Sequence, residues 1–107
     1  MTLQIYKIFY YQNILLEDQE GQNIGGSYFK QRGFTDHTIQ LFKLGYGLES
    51  RDAFYQVAKS NGFSDEVLEK SGLVKYKENS IYDTYRGRVI FPIFSNTGKI
   101  LGFGARI

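Results

Sequence analysis

Apolar residues recur at helical spacing through the first two-thirds of this chain, then at every second position over its last quarter. Ile5, Ile8 and Phe9, continued by Leu15 and Leu16, mark the apolar stripe of an N-terminal helix. The polar stretch 17–23 around Gly21 predicts a turn that interrupts it. Tyr28 and Phe29 open a short helical segment that Gly33 closes as a C-terminal cap. Thr35 is the predicted N-cap of the next helix, with Asp36 in its first turn opposing the helix dipole. Ile39 and Phe42 are expected in the core, and Gly45 is expected to end that run. A second helix pair follows. Phe54, Val57 and Ala58 form the stripe of one, closed by Asn61-Gly62, and Ser64 caps the other ahead of Val67, Leu68 and a terminating Gly72.

From about Ile81 the period changes to two. Val89, Phe91 and Ile93 alternate with Arg88, Ile90 and Phe94, and Ser95-Asn96-Thr97-Gly98 is a connection rich in turn formers. The returning arm, 99–106, places Gly102, Gly104 and Arg106 on one face. Two glycines inside a strand need a reason, such as close approach of another chain segment or a ligand. Pro92 has no ladder N–H to donate, so its position must face an edge or a bulge. The pattern as a whole predicts an α+β fold, N-terminal helices followed by a small antiparallel sheet with a C-terminal hairpin.

Composition narrows the chemistry. The chain of 107 residues has no cysteine and one histidine, which excludes disulfides and Cys-ligated zinc or iron–sulfur centres. His37, in the first turn of a polar helix start, is expected on the surface. Most of the nine Tyr and nine Phe are expected as core and strand filler, since rings carry much buried area per residue. No apolar run reaches the roughly 18 residues that span a bilayer, and the first residues lack a signal peptide's basic start, so a cytoplasmic location and no membrane partner are expected. No phosphate-binding GxxxxGK[ST] loop, GxSxG elbow or DxD carboxylate pair is present, so the residues supply no catalytic constellation of their own.

The net charge of +2 hides an uneven distribution. Residues 28–47 carry three basic side chains against Asp36, and residues 81–107 carry Arg86, Arg88, Lys99 and Arg106 against Asp83. Parity puts Arg86 and Arg88 on one side of their strand, and closing the hairpin returns Arg106 close to them. Clustered guanidiniums repel unless an anion neutralises them, and their fork of donors suits phosphate oxygens; salt bridges to neighbouring acids are the alternative. Arg32 closes the segment Tyr28-Phe29-Lys30-Gln31-Arg32-Gly33, which a capped helix end with basic residues near the dipole accounts for equally well.

Three segments, in order, resemble one family. YFKQRGFTDHTIQLFKLGYG (28–47), SDEVLEKSGLV (64–74) and YDTYRGRVIFPIFSNTGKILGFGARI (82–107) are similar to the N-terminal subdomain of the polymerase core of bacterial DnaG-type primases. The last segment is the most specific. Phe29 stands where the family pattern has Leu, and Ala105 where it has the second Gly of a Gly-Gly-Arg end; residues 1–27 match least distinctively.

The resemblance implies part of an RNA polymerase, a nucleotidyltransferase that writes short primers on single-stranded DNA during replication. It implies that residues 1–107 form one subdomain of the catalytic core, with the zinc-binding and Toprim domains absent from this stretch. No cofactor is then expected here: magnesium belongs to the Toprim carboxylates, zinc to an upstream module, and this chain alone should be inactive. Arg32, Arg86, Arg88 and Arg106 are the positions implied for a basic groove holding the single-stranded template or RNA–DNA hybrid, and also reaching nucleoside triphosphate. The same arginines could instead brace the subdomain against the Toprim fold. In the whole enzyme a replicative helicase would be met through a C-terminal region. A rival reading is a non-enzymatic nucleic-acid-binding module that reuses the fold.

Overall fold

A computed structural model describes residues 2–106, so Ile107, the end of the third matched segment, lies outside the described residues. The fold is α+β. Helix α1 (Leu3–Glu17) is capped by the Thr2 hydroxyl, which accepts from the Ile5 amide at 3.2 Å. Its buried side is Lys7, Ile8, Tyr11 and Leu15; Ile5 and Phe9 are exposed, contrary to the stripe read from the sequence. The expected turn near Gly21 is a one-residue break. Asp18 leaves helical geometry, and its carboxylate accepts the Glu20 and Gly21 amides, which restarts the helix at once. A π-helical turn (Gly21–Gly26) then runs directly into α2 (Ser27–Gln31). Glycine is required at 21, because a Cβ there would collide with the Ile14 carbonyl.

Helix α2 ends as expected. Arg32 is the C-cap, Gly33 takes φ +86°, and the amides of Gly33 and Phe34 return to the carbonyls of Lys30 and Phe29. The Thr35 hydroxyl caps α3 (Asp36–Leu41) by accepting from the Thr38 amide at 3.1 Å. Ile39 is buried, but Phe42 is exposed, and Lys43 at φ 55° closes the helix in place of Gly45. Gly45 belongs instead to strand β1 (Gly45–Tyr46). Helices α4 (Ala53–Ser60) and α5 (Asp65–Lys70) follow the sequence reading in extent, with Gly62 and Gly72 at positive φ after their ends. Phe54, Ala58 and Leu68 are buried, whereas Val57 and Val67 face outward.

Two hairpins complete the chain. The first, β2 (Val74–Lys77) with β3 (Ser80–Asp83), is absent from the sequence reading. Its two-residue turn, Glu78-Asn79, has both residues at positive φ, the conformation whose twist matches that of the flanking strands. The second is β4 (Val89–Phe94) with β5 (Ile100–Arg106), antiparallel and turning through 95–98 as expected. Strand β4 also pairs with β1, so the larger sheet has the order β1-β4-β5. A register shift between Ile93 and Phe94 leaves Leu101 unpaired and 68 % exposed.

The larger sheet is covered on both faces, which the period-two pattern alone does not reveal. Val89, Tyr46 and Phe91 face one cluster, with Leu15, Phe29, Ile39 and Leu44. Ile90 and Phe103 face the other, with Tyr11, Phe54, Ala58, Leu68, Leu73 and Val74. Helix α1 feeds both clusters, Tyr11 entering one and Leu15 the other, and it crosses Gly45 so closely that a Cβ there would come within 2.7 Å of the Tyr11 Cβ.

Candidate nucleic-acid interface

The four arginines occupy three settings. Arg106 pairs with Val89 in the β4–β5 ladder, so the hairpin returns it beside Arg88 at the open end. The Arg88 carbonyl accepts the Gly47 amide at 2.9 Å, which anchors that residue's backbone to the end of β1. Directly opposed residues point to the same face, so Arg106 shares the face of Val89, Phe91, Gly102 and Gly104. No atom lies within 4 Å of where a Gly102 Cβ would stand, and at Gly104 the nearest is in Phe91 at 3.9 Å. Among the described residues no other segment presses on these glycines. They leave a strip of bare backbone next to an exposed guanidinium on β5, the edge strand of the sheet.

Arg86 is elsewhere. The parity argument for Arg86 and Arg88 is corrected by Gly87, whose φ of +61° turns the chain between them, so neither lies in a strand. The Gly87 amide is tied to the Gly47 carbonyl at 2.8 Å. Arg86 folds back toward β3, donating from Nη1 to the Asp83 carbonyl at 2.8 Å, with its guanidinium 5.2 Å from the Tyr82 ring centre. Arg32 packs its guanidinium 3.7 Å over the Tyr28 ring and is otherwise exposed. Its helix contacts the sheet through Phe29, whose ring lies 5.4 Å from that of Phe91, on the Arg106 side. His37 is exposed, as expected.

Among the described residues the ion pairs are Lys30–Asp36, Arg51–Asp52, Lys59–Asp65 and Lys70–Glu66. None of the four candidate arginines is in one of these pairs. Among the described residues no three His, Asp or Glu side chains come together to hold a metal ion. The donors among the described residues therefore do not fit a protein-held magnesium or zinc site.

Three basic side chains escaped the sequence reading. Lys7, only 8 % exposed on α1, sets its ammonium 4.1 Å over the Phe103 ring, and burial lowers its pKa. Lys75 and Lys77 stand on the outer face of β2. The available signals were a lysine inside an apolar helix stripe and the alternation Val74-Lys75-Tyr76-Lys77.

Asp83 and Glu20 fix the frame around these cations. Asp83 is buried and accepts the amides of Phe54 at 2.7 Å and Tyr55 at 3.0 Å, which caps α4 from β3. Glu20 accepts the Tyr46 hydroxyl at 3.0 Å and the Glu49 amide at 2.8 Å, tying the restarted helix to β1. Burial and the Glu20 carboxylate both push the Tyr46 phenol pKa upward. The described residues contain no helix long and apolar enough to cross a membrane.

Comparison with known proteins gives one answer. A family model described as the N-terminal domain of the DNA primase catalytic core matches residues 9–107. A DNA primase of Geobacillus stearothermophilus is 36 % identical over 99 residues, which is 92 % of this chain and 16 % of that protein. One from Clostridium acetobutylicum is 39 % identical over 80 residues, 75 % of this chain and 13 % of that protein. Each relative is thus several times longer than the part matched. Among solved structures, the RNA polymerase domain of Mycobacterium tuberculosis primase DnaG superposes with a TM-score of 0.85 at 25 % identity, covering 96 % of this chain and 33 % of that one. A DnaG primase catalytic domain bound to single-stranded DNA superposes at 0.84 with 26 % identity, covering 98 % and 34 %. With sequence and fold in agreement over nearly its whole length, the chain belongs to the family of N-terminal domains of the DNA primase catalytic core.

Proposed function

We propose that residues 1–107 form one subdomain of a DNA primase catalytic core, and that its part in primer synthesis is to grip the template. The whole enzyme would be a nucleotidyltransferase that copies single-stranded DNA into short RNA primers, in the cytoplasm, with nucleoside triphosphates as substrates and a replicative helicase as partner. Metal chemistry would reside in other parts of that enzyme, magnesium in a Toprim fold and zinc in a separate module. A relative solved with single-stranded DNA supports the choice of template as ligand.

The observation that carries this reading is the juxtaposition of Arg106 with Arg88. The Val89–Arg106 pairing returns Arg106 to a position one residue from Arg88 along the backbone at the open end of the hairpin, beside a glycine strip with no side chains to bar a polynucleotide. Such cations contact phosphates without reading sequence. Arg32, on the α2 side of the same sheet face, and Arg86, on the β2–β3 side, would extend the groove in two directions.

Titration of a labelled oligothymidylate with this chain over a salt series tests the assignment. Each phosphate neutralised on a single strand adds about 0.7 to the slope of log affinity against log salt. Arg88→Ala and Arg106→Ala should each weaken binding and flatten the slope, while Lys70→Ala, which removes a cation already paired with Glu66, should change neither. Thermal melts of each variant separate lost contacts from lost folding. Two folded arginine variants that bind like the parent across the series would overturn the groove.

A further inference from the structure

The β2–β3 hairpin shows two unlike faces. Cross-strand partners share a face, so the pairs Val74–Asp83 and Tyr76–Ile81 point one way, and Lys75–Tyr82 and Lys77–Ser80 the other. Val74 and Asp83 are buried, which makes theirs the inner face. The outer face therefore carries two lysines on one strand, with the Tyr82 ring directly across from Lys75. Arg86 completes the set by laying its guanidinium over that ring, held there by the bond from Nη1 to the Asp83 carbonyl. Together with Glu78 at the turn, these residues line a depression of about 380 Å³.

The setting of Arg86 distinguishes this cluster from ordinary surface charge, and its cations, like most basic side chains among the described residues, are in no ion pair. Glu78 sits at the rim. Arg86 is pre-oriented: one nitrogen is bound to the backbone and the plane rests on an aromatic ring, so its remaining donors are presented at little entropic cost. Three cations around one depression repel one another until an anion enters, and two lysines spaced i, i+2 on a strand stand about 7 Å apart, close to the separation of successive phosphates on an extended nucleic-acid strand.

We propose that Lys75, Lys77 and Arg86 form a second phosphate-binding patch, which takes the backbone of single-stranded DNA beyond the Arg88–Arg106 contact. The patch rests on the template-gripping function proposed above and enlarges it. Arg86, one residue from the Gly87 turn, is the hinge point between the two, and the β2–β3 hairpin is a working part of the grip.

The oligothymidylate titration distinguishes this patch from the groove itself, with the double variant Lys75→Gln/Lys77→Gln measured beside Arg88→Ala/Arg106→Ala. Both lysines are exposed, and a melt unchanged from the parent certifies the fold. The lysine pair should lower the salt slope by about 1.4, two contacts' worth, and weaken binding several-fold at low salt. Lys75→Arg/Lys77→Arg should restore both. An unchanged slope in the lysine variant, with a reduced slope in the arginine variant, would overturn the patch and leave the groove standing. No change in either, or no binding by the parent at the lowest salt, would overturn both. A lysine effect confined to duplex DNA would overturn the single-strand assignment.

Discussion

The carboxylate of Asp83 accepts the amide of Phe54 at 2.7 Å across 29 residues of chain, so a strand residue supplies the cap that the first turn of α4 lacks locally. Burial pushes the Asp83 pKa up to about 6, against the pull of the Phe54 and Tyr55 amides, which favour the anion. A raised acid pKa means that the folded protein binds this proton more tightly than the unfolded chain. The Asp83 contribution to stability should therefore fall as pH rises from about 4 to about 6. Denaturant titrations over that window should show this descent in the parent and a flatter curve in Asp83→Asn. Asp83→Ala strands both amides and should cost about 1–2 kcal/mol at neutral pH.

Glycines 87 and 102 should respond oppositely to alanine. Gly87 has φ +61°, and a Cβ there would displace the Glu49 carboxylate. The left-handed backbone alone costs an L-residue about 1–2 kcal/mol, so Gly87→Ala should lower the melting temperature clearly. Gly102 lies in extended backbone with open space above it. Gly102→Ala should be neutral or stabilise by about 0.5 kcal/mol, because it restricts the unfolded chain. Equal losses in the two variants would contradict the bare strip on β5.

Lys7 should be a net burden on the fold at neutral pH. Burial lowers its pKa, so the folded state disfavours the ammonium despite the Phe103 ring. Lys7→Met keeps the stem and removes the charge, and should raise the melting temperature by a few degrees. The parent gains stability as pH rises through the lowered pKa toward the ordinary lysine value. The advantage of the methionine variant should accordingly shrink as pH approaches about 10.

Primer synthesis should be absent from this chain alone, with any template, nucleotide or divalent metal. Two-metal phosphoryl transfer needs convergent carboxylates, and none of the described residues forms such a group. A radiolabel incorporation assay on highly purified chain checks this. Metal-dependent synthesis lost on mutating the chain's own acids would sink the subdomain assignment.

What the sequence discloses depends on how local the determining chemistry is. Thr35, Ser64, Gly33, Gly62 and Gly72 act within a few residues of themselves, so the ends of α2 to α5 were legible. The return of Arg106 opposite Val89 was legible too, because a short turn fixes the register. Helical spacing points Phe9, Phe42, Val57 and Val67 inward or into the apolar stripe, yet all four are exposed. Helical spacing admits a wide stripe, and only the sheet decides which half of it is covered. The β2–β3 hairpin was missed because its turn is Glu-Asn without glycine and its outward lysines interrupt the apolar pattern. The charge of Lys75 and Lys77 was masked because neighbouring acids cancel it in any count along the chain. Arg86 was misplaced because a single backbone angle at Gly87 overrides strand parity.

The β1–β4 pairing has a kinetic side. Strand β4 finds β5 across a five-residue connection, 95–99, but it finds β1 only after residues 47–88 have been looped out. Loop-closure entropy rises with the logarithm of loop length, and the longer closure costs about 2 kcal/mol more. The C-terminal hairpin can therefore form early as a local unit, while the sheet completes only when α4, α5 and the β2–β3 hairpin are compact enough to bring Tyr46 to Val89. Stiffening the chain anywhere within 47–88, at positions that already hold the required backbone angles, should speed folding more than the same change outside it.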